Sequence, residues 1–186
     1  MLRPNLCLLI ACCTLLLRDL SSKRTVIITG SNRGIGLSAA RLLAASNEWQ
    51  VVLACRSKDK AQAALKSISK GNENIEIMQL DLSDLKSVKD FARSWGSRPI
   101  DCLALNAGIQ TGSSGVTSRS KQGFESTIAI NHIGHFYLMN LLLSNVKKSS
   151  KGRVVIVGSG GMLFNPHLDS DVCIRMASVI ILSAQS

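Results

Sequence analysis

The sequence has few aromatic residues and few prolines, and its cysteines do not form the pairs typical of metal or redox sites. The 186 residues include four Phe, two Trp, one Tyr and three Pro. No aromatic residue is interleaved with the lysines of residues 147–151, so no stacking platform for nucleic acid is indicated. None of the six cysteines belongs to a Cys-x-x-Cys pair, which argues against a zinc site and a thioredoxin-like motif. The composition also excludes collagen-like proteins and disulfide-rich miniproteins.

Acidic residues are scarce relative to basic ones. The chain has 22 Lys and Arg against 12 Asp and Glu, a formal net charge of +10. Much of the excess lies in residues 1–24 and in residues 147–153, just before an apolar run. We interpret these as a basic leader and a solvated helix end, and no nucleic-acid partner is expected.

The apolar run at the N-terminus is too short to span a bilayer, which takes about 20 residues. Residues 6–17 are apolar except for Thr14 and lie between Arg3 and Arg18, as in the apolar region of a signal sequence. No Ala-x-Ala-like cleavage site follows. Three interpretations are open: an uncleaved membrane anchor, the first part of a composite import signal, or a short buried helix. Residues 1–23 are therefore set apart as a targeting or anchor segment.

From residue 24 onward, short β-branched runs alternate with segments of helical period. This alternation predicts parallel strands joined by helical crossovers, because parallel neighbours cannot be joined by tight turns. The expected fold is α/β: a Rossmann-type, doubly wound parallel sheet in three αβα layers, incomplete at its C-terminal end. It forms one domain, residues 24–161, followed by a divergent tail, residues 162–186. The predicted strands are residues 25–28, 51–54, 75–80, 100–105 and 154–157. The first predicted helix begins near Ile35, and the other three cover residues 59–69, 83–95 and 122–145.

Two local features of the helices are predicted as well. Ile35, Ala39, Leu42 and Leu43 recur at helical spacing, which indicates one apolar face on the first helix. Ser83 is the predicted N-cap of the third helix.

A glycine loop, TGSNRGIG at residues 29–36, follows the first strand and opens the first helix. Its GxxxGxG spacing is typical of dinucleotide binding, because glycines permit close approach to a pyrophosphate and the helix N-terminus offers unpaired N–H groups. An ordinary glycine-rich turn is the alternative. The predicted cofactor-binding residues in this loop are Gly30, Ser31, Asn32, Arg33, Gly34, Ile35 and Gly36.

The end of the second strand distinguishes the two nicotinamide cofactors. A carboxylate there would hydrogen-bond the ribose of NAD(H) but would repel the 2′-phosphate of NADP(H). This sequence has Cys55-Arg56-Ser57, and Asp59 is the nearest acid downstream. Arg56 and Arg33 both offer cationic donors for a phosphate. NADP(H) is therefore the predicted cofactor, with two solvated arginines as the alternative.

Several motifs occur in the order and spacing of a known family. The glycine loop, residues 81–82, residues 106–108, Asn131 and Ser159 together resemble the short-chain dehydrogenase/reductase family over about residues 24–161. Residues 54–56, 131–136 and 157–159 are most similar to the light-dependent protochlorophyllide reductases of that family, and the retinol-dehydrogenase-like branch is the next most similar.

The resemblance implies roles for individual residues. Asp81 would hydrogen-bond the adenine, Asn131 would stabilise the active-site helix and its water relay, and Ser159 would hold the substrate or order the site. The implied reaction is hydride transfer from NADPH to a double bond of a tetrapyrrole, driven by light, in a plastid. A retinol-dehydrogenase-like carbonyl reductase, with a membrane-associated location at the endoplasmic reticulum, is the alternative. The implied catalytic residues are Asn131 and Ser159, and the glycine loop is joined in the cofactor site by Arg56, Asp81, Leu82, Asn106, Ala107 and Gly108.

Residue spacing gives a separate view of the long helix. Asn131, His135, Leu138 and Leu142 fall on one stripe, so Asn131 is expected to face the core and to find hydrogen-bond partners there. His132 and His135 could share a metal ion, but no carboxylate or cysteine stands nearby in sequence, so no metal is expected.

The catalytic Tyr-x-x-x-Lys pair of the family is missing. The residues after Ser159 contain neither tyrosine nor lysine, and Tyr137, the only tyrosine, lies in the long helix. Two interpretations follow: an incomplete or aberrantly terminated NADPH-dependent reductase with little or no turnover, or a noncatalytic dinucleotide-binding or interaction module. The sheet is expected to have an open edge, and apolar residues 179–182 to have no partner.

Overall fold

A six-stranded sheet forms the centre of the molecule. The computed structural model describes residues 23–69, 71, 73–110 and 118–158, and the backbone of residues 180–183. Its strands are β1 (Arg24–Thr29), β2 (Trp49–Cys55), β3 (Ile75–Gln79), β4 (Cys102–Leu105), β5 (Arg153–Ile156) and β6 (Ile180–Ser183). Their order in the sheet is β3-β2-β1-β4-β5-β6, and β1 to β5 are parallel.

Helices cover both faces of the sheet, which confirms the predicted α/β, doubly wound, three-layer fold. They are α1 (Gly34–Ala45), α2 (Lys58–Ile68), α3 (Leu85–Trp95), and a long helix made of α4 (Ser126–Ile128), a π-helical segment (Ala129–Ile133) and α5 (Gly134–Lys147). Val26 and Ile28 of β1 pack with α1 and α2, and Ile27 packs on the opposite face with α3 and α5. Because both faces are buried at the centre of the sheet, β1 and β2 contain continuous apolar runs, residues 26–28 and 51–55.

The first helix packs on the sheet through small residues. Gly36, Ala40 and Ala44 are its buried positions, whereas Ile35 and Leu42 are 72% and 73% exposed. The predicted apolar face is therefore wrong at those two positions. Small side chains let the helix approach β1 and β2 closely.

Two helices begin later than predicted. The N-cap of α3 is Asp84, whose carboxylate accepts a hydrogen bond from Lys86 N–H, and not Ser83. Ser83 instead donates its N–H and its hydroxyl to Asp81 Oδ1. The long helix begins at Ser126 because the Glu125 carboxylate caps it, accepting from the N–H groups of the next turn.

The last strand corrects the expectation for the tail. The backbone of β6 pairs antiparallel with β5, in the register Val154↔Leu182 and Ile156↔Ile180. Residues 180–182 therefore have a partner, and β5 is not the open edge of the sheet. Antiparallel pairing of an added edge strand is common on parallel sheets. The N-terminal segment, residues 1–22, lies outside the described residues, and in the part of the chain that is described no helix is long and apolar enough to cross a membrane.

Candidate functional site

A cleft opens at the carboxyl ends of β1, β2 and β4, where the winding of the sheet reverses direction. Ligands of doubly wound sheets bind at this position. The cleft has a volume of about 370 Å³. Every residue predicted from the sequence to bind the cofactor lines it, except Ser31, which is fully buried. The lining residues are Gly30, Asn32, Arg33, Gly34, Ile35, Gly36, Ala54, Cys55, Arg56, Leu80, Asp81, Leu82, Asn106, Ala107, Gly108, Ile109 and Ile130.

Two glycines of the loop are required by close backbone contacts. Gly30 has φ +67°, and a Cβ added there would lie 2.8 Å from the Cα of Ala107. A Cβ added at Gly36 would lie 2.5 Å from Nδ2 of Asn106 and 2.8 Å from the carbonyl oxygen of Gly30. The loop is thus wedged against the end of β4. Ser31 shapes the loop from inside, donating its hydroxyl to the carbonyl of Ile28 at 2.9 Å.

Thr29 joins the glycine loop to the end of β4. Its Oγ1 accepts hydrogen bonds from the N–H groups of Asn106 and Ala107, both at 2.9 Å. Asn106 Nδ2 donates in turn to the carbonyl of Thr29 at 2.8 Å. Thr29 belongs to the predicted glycine-loop motif, but no role is predicted for it from the sequence. The available signal was a hydroxyl at the end of an otherwise apolar buried strand.

The tip of β2 is cationic. Arg56 and Arg33 are exposed and line the same cleft, and neither forms an ion pair with any other described residue. Cys55 lines the same cleft, and its thiol is 3.5 Å from the Ser31 hydroxyl. Burial raises the pKa of the Cys55 thiol, so the group is neutral. The residues at the end of β2, Cys55-Arg56-Ser57, therefore present positive charge and carry no carboxylate of their own.

Asp81 follows β3 and lines the cleft near the tip of β2, since the N–H of the preceding Leu80 donates to the carbonyl oxygen of Cys55. Its Oδ1 accepts from the N–H and hydroxyl of Ser83 at 2.9 and 2.6 Å, and its own N–H donates to Ser87 Oγ. No described residue donates to Oδ2 of Asp81. The carboxylate is fixed through one oxygen and has the other available as an acceptor.

Asn131 does not face the core as its spacing predicted. It is exposed, and its side chain clamps the backbone of Ile109: Oδ1 accepts from the Ile109 N–H and Nδ2 donates to the Ile109 carbonyl, both at 2.8 Å. The cause is the π-helical segment, which widens the turn and shifts Asn131 off the stripe that buries His135 and Leu138. The predicted hydrogen-bond partners exist, on the cleft side rather than in the core.

A family assignment follows from comparison with known proteins. The family model described as short chain dehydrogenase matches residues 24–167. This chain belongs to the short-chain dehydrogenase family. The chain is 40% identical over 141 residues to the chloroplastic protochlorophyllide reductase of Cucumis sativus, and 41% identical to that of Chlamydomonas reinhardtii. Each alignment covers 74% of this chain but only 35% and 36% of the relative, so the chain spans about a third of their length. The predicted resemblance is confirmed.

Solved structures agree with this assignment at the level of the fold. The Pseudomonas aeruginosa RhlG/NADP active-site complex superposes with a TM-score of 0.66 at 22% identity, covering 83% of this chain and 64% of that one. A short-chain dehydrogenase described as glucose/ribitol dehydrogenase, from Brucella melitensis, gives 0.62 at 27% identity, covering 82% and 63%.

Tyr137 and His132 do not line the cleft. Ser159 lies outside the described residues. Tyr137 is partly buried and packs against the apolar core beneath α5, not against the cleft. His132 is exposed and stacks on Phe136, with ring centroids 6.4 Å apart, and within the described ranges no three His, Cys, Asp or Glu side chains are grouped as metal ligands would be.

Proposed function

We propose that the cleft binds NADP(H), as part of an oxidoreductase of the protochlorophyllide reductase type. The observation that carries the cofactor proposal is the pair Arg33 and Arg56, two exposed cations without ion-pair partners among the described residues at a strand tip that has no carboxylate. A 2′-phosphate needs such donors, whereas a free 2′-hydroxyl gains little from them.

The glycine loop fits the pyrophosphate of such a cofactor. Its backbone is pressed against Ala107 and Asn106 so closely that a side chain at Gly30 or Gly36 would collide. At Gly34, by contrast, an added Cβ would meet no described atom within 4 Å. Bare backbone is therefore open to a ligand at the N-terminus of α1, where unpaired N–H groups and the helix dipole favour phosphate. The available Oδ2 of Asp81 suits the amino group of an adenine.

The names of the curated relatives support the reaction class. They are protochlorophyllide reductases, several of them chloroplastic, so we infer hydride transfer from NADPH to a tetrapyrrole double bond, and a plastid location. When bound, the nicotinamide supplies the hydride. This chain contributes the cofactor cleft and Asn131, while the Tyr-x-x-x-Lys pair for the proton step is not in its sequence.

The cofactor proposal is tested by fluorescence titration with NADPH and NADH. Arg56→Ala should reduce the preference for NADPH by roughly tenfold or more, because a charge-assisted hydrogen bond is lost. Arg41→Ala is the matched control, since Arg41 is an exposed α1 arginine that does not line the cleft. Equal affinity of the unmodified chain for both cofactors, or an unchanged preference in Arg56→Ala, would refute the proposal.

A further inference from the structure

His135 is a buried histidine that the proposed function leaves without a role. It lies in the first turn of α5, is 6% exposed, and does not line the cleft. Its Nε2 is 2.9 Å from Thr29 Oγ1, and its Nδ1 is 3.3 Å from the carbonyl oxygen of Asn131. It therefore touches both the strand that leads into the glycine loop and the π-helical segment that holds Asn131.

The partners of His135 determine where its proton lies. The Asn131 carbonyl can only accept, so Nδ1 must carry the hydrogen, and Nε2 of the neutral ring is then an acceptor. Thr29 supplies the matching donor, because its Oγ1 lone pairs already receive the N–H groups of Asn106 and Ala107. The other acceptor near the Thr29 hydroxyl, the Ala104 carbonyl, is farther away at 3.4 Å.

The ring is neutral in this arrangement. Burial lowers the pKa of His135 to about 4. A protonated ring would also direct a second donor at Thr29 Oγ1, which would have to turn its own hydrogen away. The chain of hydrogen bonds from Asn131 through His135 to Thr29 and the end of β4 is fully matched only for the Nδ1–H form.

We propose that His135 is a positioning residue that fixes the π-helical segment carrying Asn131 relative to Thr29 and the glycine loop of the cofactor cleft. The inference rests on the proposed NADP(H) function. Thr29 immediately precedes Gly30, and Gly30 is so close to Ala107 that an added Cβ would lie 2.8 Å from the Ala107 Cα. Loss of the His135 bond frees the Thr29 hydroxyl to rotate, which loosens its hold on Asn106 and Ala107. Cofactor affinity then falls even where the chain stays folded.

The imidazole tautomer is tested directly by ¹⁵N-resolved NMR of the unmodified chain. We expect His135 to give the Nδ1–H signature, with Nε2 unprotonated. An Nε2–H tautomer for His135 would overturn the inference, whether or not NADPH binds.

Its consequence is tested by NADPH titration of His135→Leu, Thr29→Val and the double variant, at a temperature where each is folded. We expect affinity to fall roughly fivefold in His135→Leu, the factor for one lost hydrogen bond. It should fall further in Thr29→Val, which also removes the acceptor of the Asn106 and Ala107 N–H groups. The double variant should be no weaker than the weaker single variant, because both remove the same link. His132→Leu, an exposed histidine on the same helix, should bind like the unmodified chain.

Different failures point to different conclusions. No NADPH binding by the unmodified chain would refute the proposed function. Binding by that chain with unchanged affinity in folded His135→Leu would refute the positioning role, even if the thermal midpoint falls. If His135→Leu does not fold, His135→Gln retains an acceptor for Thr29, and its affinity should lie between that of the unmodified chain and that of Thr29→Val; affinity equal to that of Thr29→Val would count against the role.

Discussion

Alanine substitutions at Gly30 and Gly34 separate two reasons for a glycine in the glycine loop, residues 29–36. Both residues have positive φ, +67° and +57°. At Gly30 an added Cβ would lie 2.8 and 2.9 Å from the Cα and Cβ of Ala107, whereas at Gly34 it would meet no described atom within 4 Å. Gly30→Ala therefore combines a left-handed backbone with a collision, and Gly34→Ala has the backbone cost alone.

The two costs differ enough to be measured. A left-handed conformation costs a residue with a side chain about 1–2 kcal/mol, which is the loss of unfolding free energy expected for Gly34→Ala. Overpacking at Gly30 adds roughly 1–3 kcal/mol. Ala107 cannot retreat freely, because its N–H is bonded to Thr29. Gly30→Ala should also weaken NADPH binding, because the glycine loop must move away from Ala107 to accommodate the added methyl group.

Urea unfolding followed by tryptophan fluorescence measures both variants. Trp49 and Trp95 are both buried, so their emission reports the folded state. The expected result is a clearly larger destabilisation for Gly30→Ala than for Gly34→Ala. Equal losses would show that contact with Ala107 does not constrain the loop, and would refute this explanation of the motif.

Two further predictions concern stability against pH. The hydrogen bond from Lys121 lowers the pKa of Asp84 to about 2. Because the carboxyl of the unfolded chain titrates near 4, the unfolding free energy should fall as the pH drops from about 4 to 2. This fall should be smaller in Asp84→Asn. Burial lowers the pKa of His135 to about 4. The unfolded state then binds the proton first, so stability should fall between pH 6.5 and 4 by up to about 1.4 kcal/mol per pH unit, a dependence that His135→Leu removes.

The same urea assay, repeated across pH, checks both predictions. A pH dependence between 4 and 2 that Asp84→Asn retains in full would contradict the assignment to Asp84. For the histidine, His132→Gln is the control, and equal slopes in His132→Gln and His135→Leu would contradict the assignment to His135.

The strands and the position of the cleft were predictable from the sequence because they depend on local patterns. Buried β-branched runs gave each of β1 to β5 to within about two residues at either end. The glycine loop was predictable because glycines between a strand and a helix are typical of backbone that approaches a pyrophosphate closely. Arg56 and Asp81 are distant in sequence but line one cleft, because the doubly wound fold brings the carboxyl ends of its strands to one edge of the sheet.

Other features depend on contacts that sequence spacing does not record. Ser83 and Asp84 are both good N-caps, and the choice between them is made by Asp81, which engages Ser83. The stripe that included Asn131 assumed uniform helical turns, and the π-helical segment breaks that assumption. An apolar run such as residues 180–182 predicts a strand but does not identify its partner.

Recognition of a 2′-phosphate by the cleft is measured by calorimetric titration of the unmodified chain with NADP⁺ and NAD⁺, because the two ligands differ only in that group. We expect NADP⁺ to bind at least roughly tenfold more tightly than NAD⁺, because its 2′-phosphate forms charge-assisted hydrogen bonds with Arg33 and Arg56. Equal affinities, or tighter binding of NAD⁺, would contradict it.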